Sequence, residues 1–468
     1  MKFFCCILCT ALLLQINSFS SAYNATIIIH NGKLMAEAGK DIIDNGVVVI
    51  NDDIIIDVGD EALLSRYSAP IMIDADKNLV MPGLINAHTH VPMVAFRSLG
   101  EEGIYDRLFG YFFPLEKRFV NPAMVYKSTI HGCIEMVMGG VTTYCDMYYF
   151  MEQEAEAAKK IGIRCVLGET IIDTPSPDAL DSDISINRTV KFIDKYKDDS
   201  LVIPAFAPHC PYTLKKKTLQ KIAAVSEKMN ARVIIHLSEI SEKDNKHYDI
   251  DNASFLKKMG LLNDRLTVAH AIHLDKKQIS LMKDAGVGVS YNPLANAKGA
   301  TGIADAVEML KQGIPVGLGT DGPMSSNQLS IIPVLSYAAD MQRLKYMNRT
   351  LITPREVAYM ATQGGANALH IGETTGSIEK TKKADIIIIN TKSPNMFPAY
   401  DLYAALVFQA NPEDVLTSII NGRLVMYNRA LLTYSLDQDH KDMVELAKTV
   451  GKYGEELSKA IINKENNN

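Results

Sequence analysis

A chain of 468 residues with a formal charge of -6 at pH 7 has room for one large domain and a smaller one. It lacks the basic footprint that a nucleic-acid partner requires. With 47% hydrophobic and 22% charged residues it is also neither disordered nor fibrous in composition.

The first residues, MKFFCCILCTALLLQINSFSSA, begin with Lys2, run apolar to Leu14 and then turn polar, with small residues at Ser20 and Ala22. This is the layout of a signal peptide (1–22), too short for a membrane span. It implies export to a periplasm or the outside, with a cytoplasmic chain as the alternative. Removal near Ala22 would leave Cys133, Cys145, Cys165 and Cys210, which show no CxxC spacing. Neither a thiolate zinc site nor a disulfide framework is therefore implied. No other segment is apolar for long enough to cross a bilayer, so no membrane association is expected of the mature chain.

From Ala25 the texture is that of short strands: ATIIIHNGKLM, GVVVINDDIIIDVG and IMIDADKNLVM, separated by Asn-Gly and Gly-Asp turns. It returns in KKADIIIINTK, VLTSIINGRLVMYN and ALLTYS. A small composite β-sandwich built from 23–81 and 375–436 accounts for both. Between them, strand candidates alternate with amphipathic stretches such as KKTLQKIAAVSEKMN. The candidates are LVMPGLINAHTH, GVTTYCDMYY, IRCVLGETI, LVIPAFAPHC, ARVIIHLSEI, LTVAHAIHLD, VGVSYNP and IPVGLGTDG. Apolar strands alternating with helices predict an α/β fold, a distorted (β/α)8 TIM barrel over 82–374. A doubly wound open sheet is the runner-up, and it leaves the terminal β-segments without a common explanation. Residues 437–468 read as a polar C-terminal helix and tail.

The polar residues that stand out fall at the ends of these strands. His88 and His90 close the first, and residues i and i+2 of a strand share a face, so both imidazoles can aim at one point. Alone, the pair divides evenly between a metal site and ordinary hydrogen-bonded histidines. His209 ends the fourth strand, His236 with Glu239 the fifth, His270 with His273 the sixth, and Asp321 the eighth. Barrel enzymes carry their chemistry at the C-terminal strand ends. Imidazoles with a carboxylate suit zinc or ferrous iron. A further carboxylate nearby can carry a proton from nucleophile to leaving group, and Glu239 is placed for that. His273 reads as structural, and His30, His131, His247, His370 and His440 lie away from the strand ends. GLGTDG lacks the Gly-Lys-Ser/Thr ending of a phosphate loop; its glycines would let the backbone pass close to the site.

In order along the chain, PGLINAHTHVPM, FPLEKRF, APHCPYT, HLSE, VAHAIHL, SYNPLANAK and GLGTDGPMSSN resemble the motifs of the amidohydrolase superfamily. Within it they are most similar to the 5′-methylthioadenosine/S-adenosylhomocysteine deaminases and their cytosine deaminase and triazine chlorohydrolase relatives. The resemblance covers nearly everything after Ala25. It implies one divalent metal ion per chain, zinc first and iron second, held by His88, His90, His236 and Asp321. Two-metal members carry a lysine where this chain has His209, which argues for one ion. Asp321 would also take the proton of the attacking water, and His270 would hydrogen-bond that water and polarise the tetrahedral intermediate. Glu239 would protonate the substrate ring nitrogen and pass a proton to the departing amine. His209 would meet the purine and ribose side, and Glu116 the ribose diol, although an EKR run also reads as a solvated helix face.

The implied function is hydrolytic deamination of adenosine-type compounds: 5′-methylthioadenosine, adenosine or S-adenosylhomocysteine. The last fits less well, because no arginine precedes Arg188 after the third strand. Tyr291 and Ala295 also depart from the usual Ser-His-Asn-Pro-x-Ser-Asn. The alternative is a sister hydrolase acting on guanine, a cytosine-like base or a substituted triazine; a catalytically inactive scaffold is the remote one. The expected partner is a small-molecule substrate, with no nucleic acid, and a homo-oligomer is allowed. The expected mature N-terminus lies just after Ala22. N-terminal sequencing of the protein from its native host checks this, and an intact Met1 or Lys2 would refute it.

Overall fold

The computed structural model describes residues 23–101, 104, 106–240 and 250–466. The signal peptide expected over 1–22, and His247, lie outside the described residues. Among the described residues no helix is long and apolar enough to cross a membrane.

Each strand candidate of the central region contains one strand of an eight-stranded parallel sheet. In chain order these are Leu84–Thr89, Val141–Tyr148, Arg164–Ile171, Val202–Pro208, Arg232–Leu237, Leu266–His270, Gly288–Tyr291 and Val316–Leu318. Each pairs in parallel with the next, as helical crossovers require. The first three are buried along their whole length, which explains their continuous apolar runs. The ring nearly closes. At the seam, the backbone N–H groups of Thr320 and Asp321 both donate to His88 O, at 3.1 and 3.0 Å.

One end of the barrel is stoppered. The segment around Gln363–Ala368 packs Ala366, Leu369 and Ile371 into an inner core with Ile85, Val166, Ala205 and Ile234. Arg232, at the start of the fifth strand, donates to Leu369 O and His370 O. Thr267, near the start of the sixth, donates to Ala368 O. This closes the N-terminal end and leaves the C-terminal end to hold a site.

The two chain ends meet in one nine-stranded mixed sheet, with Tyr23–Asn24 and Tyr67–Ser68 forming a small parallel pair of their own. The joint is the antiparallel pairing of Leu79–Pro82 with Ile386–Ile389. LVMPGLINAHTH is thus two strands, one in each sheet, divided at Gly83. A Cβ on Gly83 would lie 2.0 Å from Thr142 Oγ1, so only glycine lets the chain pass there. The C-terminal helix, Leu436–Asn466, is polar on one face only. Val450 is buried, and Leu446, Tyr453 and Leu457 pack on the main core. Tyr111 donates to Gly454 O at 2.9 Å, tying this helix to the segment beside the barrel mouth.

Sheet and barrel are clamped by a buried ion pair. Arg164, on the third barrel strand, donates to both oxygens of Asp385 at 2.8 and 3.1 Å, and both side chains are 1% exposed. Ser200 O and Asn421 Oδ1 take two more guanidinium donors, while Thr375 and the Asn421 N–H donate to the carboxylate. A charge left alone there would have no water to turn to. Arg164→Met should cost about 3–5 kcal/mol in urea unfolding. The double variant with Asp385→Leu should cost less than the sum of the two single ones.

Candidate active site

His88 is the last-but-one residue of the first strand and His90 follows it, so both imidazoles turn into the barrel mouth, with ring centroids 4.9 Å apart. The ring of His236 lies 4.8 Å from that of His88 and 5.4 Å from that of His270. One ligand atom from each of His88, His236, His270 and Asp321 lies within 4.8 Å of the others. His90 adjoins the same cluster: its Nε2 is 3.3 Å from Asp321 Oδ1 and 3.3 Å from His236 Nε2. All five side chains are buried.

Backbone carbonyls orient the rings. His90 Nδ1 lies 2.7 Å from Met147 O, and His236 Nδ1 lies 2.8 Å from His209 O. A carbonyl can only accept, so each Nδ1 carries the proton and each Nε2 presents a lone pair to the centre. His88 Nε2, buried and without a hydrogen-bond partner among the described residues, is left as a free donor atom for a cation. Asp321 adopts a left-handed conformation (φ 58°) and accepts from the Gly322 N–H at 2.7 Å. Two residues earlier, a Cβ on Gly319 would stand 2.3 Å from Asn292 Oδ1 and 2.9 Å from His88 O. The glycine lets the loop close on the site, as its sequence suggested.

Charge follows burial. Desolvation pushes the His88 imidazole down to about 4, against the pull of the nearby Asp321 carboxylate, and holds His236 well below its usual range. Burial would raise Asp321, but the His88 and His90 imidazoles beside it outweigh that and keep the carboxyl well below its ordinary value. Burial would likewise lower His90, yet Asp321 pulls it up. Any proton it holds must leave for the ring to ligate a metal. Neutral nitrogen donors around an ionised carboxylate fit a borderline-hard divalent cation such as zinc or ferrous iron.

The cluster opens into a cavity of about 250 Å³ whose lining includes Phe113, Glu116, Tyr148, His209, Glu239 and Asn296. Glu239 follows the fifth strand, its Oε2 3.9 Å from His270 Nε2. His209, at the end of the fourth, has Nδ1 3.1 Å from Cys210 Sγ and 3.2 Å from Thr213 Oγ1. Burial lowers its imidazole to about 3, so it stays neutral. Glu116, on the helix Phe113–Phe119, corrects the solvated-face reading: it is 2% exposed, while Lys117 and Arg118 face outward. Burial pushes its carboxyl up to about 7, against the Tyr148 hydroxyl and the charge of His90. Its Oε1 has no partner among the described residues.

Other expectations resolve simply. His273 Nε2 lies 2.9 Å from Thr301 O, a structural contact. Tyr291 is buried, with its hydroxyl accepting from Gln342, and does not line the cavity, whereas Ala295 does. Arg188 has its charge taken by Asp178 and Glu169, at 3.3 and 3.7 Å. Sequence reasoning passed over Tyr148, Tyr212, Arg107 and Asn296, all in the cavity wall. All but Arg107 stand inside stretches already singled out, GVTTYCDMYY, APHCPYT and SYNPLANAK.

Residues 79–425 match the model of the Amidohydrolase family, and the chain belongs to that family. Over 430 residues it is 36% identical to 5-methylthioadenosine/S-adenosylhomocysteine deaminase 1 of Syntrophus aciditrophicus (strain SB), covering 91% of this chain and 97% of that protein. It is 36% identical over 411 residues to the 5-methylthioadenosine/S-adenosylhomocysteine deaminase of Thermodesulfovibrio yellowstonii, covering 86% and 94%. Among solved structures it resembles an adenosine deaminase from Xanthomonas campestris with bound zinc. The TM-score is 0.88 at 26% identity, over 92% of this chain and all of that one.

One divalent ion per chain is expected by elemental analysis. His236→Ala should lose most of it, because binding depends on all the ligands together. Two ions per chain, or full occupancy in the variant, would contradict the assignment.

Proposed function

We propose that this enzyme is a metal-dependent hydrolytic deaminase of adenosine-type compounds, with 5′-methylthioadenosine and adenosine as its first substrates. The observation that carries the reading is the pairing, in one cavity, of the His/Asp cluster with the buried carboxyl of Glu116, whose Oε1 has no partner among the described residues. A nucleoside needs both: a hydrolytic centre at its amine and an acceptor for its ribose hydroxyls. A free base such as guanine or cytosine, or a triazine, would leave Glu116 buried without its partner, which costs about 1–3 kcal/mol.

His88, His90, His236 and Asp321 would hold the ion, with His270 beside them. A divalent ion bound there supplies a water that ionises near neutrality. The remaining steps belong to the chain. Asp321 takes the proton of the attacking water, and His270 orients that water. Glu239, at the cavity edge of the cluster, protonates the ring nitrogen next to the amine-bearing carbon, so charge does not build up on the ring. The proton held by Asp321 then passes by way of Glu239 to the amine, the C–N bond breaks as ammonia leaves, and the hydroxyl proton released as the carbonyl forms restores Glu239. His209, neutral and backed by Cys210 and Thr213, meets the purine and ribose side, and Glu116 takes the diol. With Arg188 occupied by its own acids, S-adenosylhomocysteine ranks behind the uncharged nucleosides.

Ammonia release by the metal-loaded protein should be fast with 5′-methylthioadenosine and adenosine and negligible with guanine and cytosine; the reverse order would favour the sister hydrolase. Glu239→Gln should keep its metal and its KM while losing about 10²–10⁴ in kcat. Near wild-type turnover in that variant would move the proton carrier's role to His270.

A further inference from the structure

Asn296 has a part that the proposed mechanism does not use. It stands on the short helix Pro293–Lys298 after the seventh barrel strand, is 2% exposed and lines the cavity. Its backbone is held at both ends: the N–H donates to Asn292 O at 3.0 Å and the carbonyl accepts from the Thr301 N–H at 3.1 Å. The side chain is therefore aimed by the fold. Its Oδ1 lies 2.9 Å from His270 Nδ1 and accepts that ring's proton. Its Nδ2 has no hydrogen-bond partner among the described residues. A buried amide N–H left unmade is costly, so a donor in a cavity wall implies an acceptor on whatever fills the cavity.

The position of that acceptor follows from His270. Glu239 Oε2 is 3.9 Å from Nε2 of this ring, and Asn296 is bonded to Nδ1. The two side chains thus flank the imidazole from its two different nitrogens. In the proposed reaction Glu239 serves the ring nitrogen on one side of the amine-bearing carbon. On the other side of that carbon a purine offers one more lone pair, N7 of the fused ring, and a pyrimidine offers none. We propose that Asn296 Nδ2 donates a hydrogen bond to purine N7, making Asn296 the residue that selects a fused-ring substrate, an inference that rests on the adenosine-type reading above. The same side chain positions His270 through Oδ1, so its two halves serve different ends of the reaction.

The test crosses one substrate atom with one side chain. Adenosine and 7-deazaadenosine differ by a C–H in place of N7. The wild-type enzyme should prefer adenosine by about 10-fold to 100-fold in kcat/KM. Asn296→Ala should slow both compounds through His270 and should also shrink the wild-type preference by about 10-fold or more. The intrinsic reactivities of the two rings cancel in that ratio of ratios. A preference that survives the substitution undiminished would overturn the N7 contact and leave Asn296 a positioning residue only. Should the variant fail to fold, equal turnover of the two compounds by the wild-type enzyme would overturn it alone. A wild-type enzyme silent on every adenosine-type compound would instead sink the functional reading, and this assignment with it.

Discussion

The site depends on one constraint: the Nδ1 atoms at the barrel mouth are held before any ligand arrives. Met147 O takes that of His90, His209 O that of His236, and Asn296 Oδ1 that of His270. The two backbone carbonyls belong to strand ends, so the orientation of the His90 and His236 rings is inherited from the barrel's hydrogen-bond register. An imidazole on a free loop would have to lose rotamer entropy on binding a cation. Here that cost is met in folding, and the nitrogen donors converge as a preformed set.

Register matters most at the seam. The N–H groups of Thr320 and Asp321 both find His88 O, so the eighth strand's loop is anchored to the very residue whose ring it faces. The clamp between Arg164 and Asp385 and the stopper around Gln363–Ala368 hold the opposite end. With one end filled and the sheet locked against one flank, the C-terminal mouth is the part of the barrel left open to a small molecule.

Much of this was legible in the residues. Strand-end histidines and acids could be placed by period and by the eight-fold alternation, because a parallel barrel forces both. The joining of the chain ends was legible as β-branched texture, although its form as a single mixed sheet was not, since pairing partners lie about three hundred residues apart in sequence. Glu116 shows the limit most clearly. Its EKR neighbourhood suggests solvent, and only the helix phase decides that the glutamate turns inward while Lys117 and Arg118 turn out. Asn296 was invisible for another reason: an asparagine in a helix is unremarkable until one of its donors is found buried without a partner.

The joint between Leu79–Pro82 and Ile386–Ile389 has a consequence for the order in which the chain can mature. During synthesis the N-terminal strands emerge first, yet one edge of their sheet stays open until nearly the whole chain has followed. Arg164 waits as long, carrying a charge in a place that becomes habitable only when Asp385 arrives. Contacts of such sequence separation are slow to form, and unfinished sheet edges invite pairing with other chains. A ribosome stalled within the barrel would therefore hold a nascent chain with both an open edge and an unanswered guanidinium, a natural substrate for chaperones.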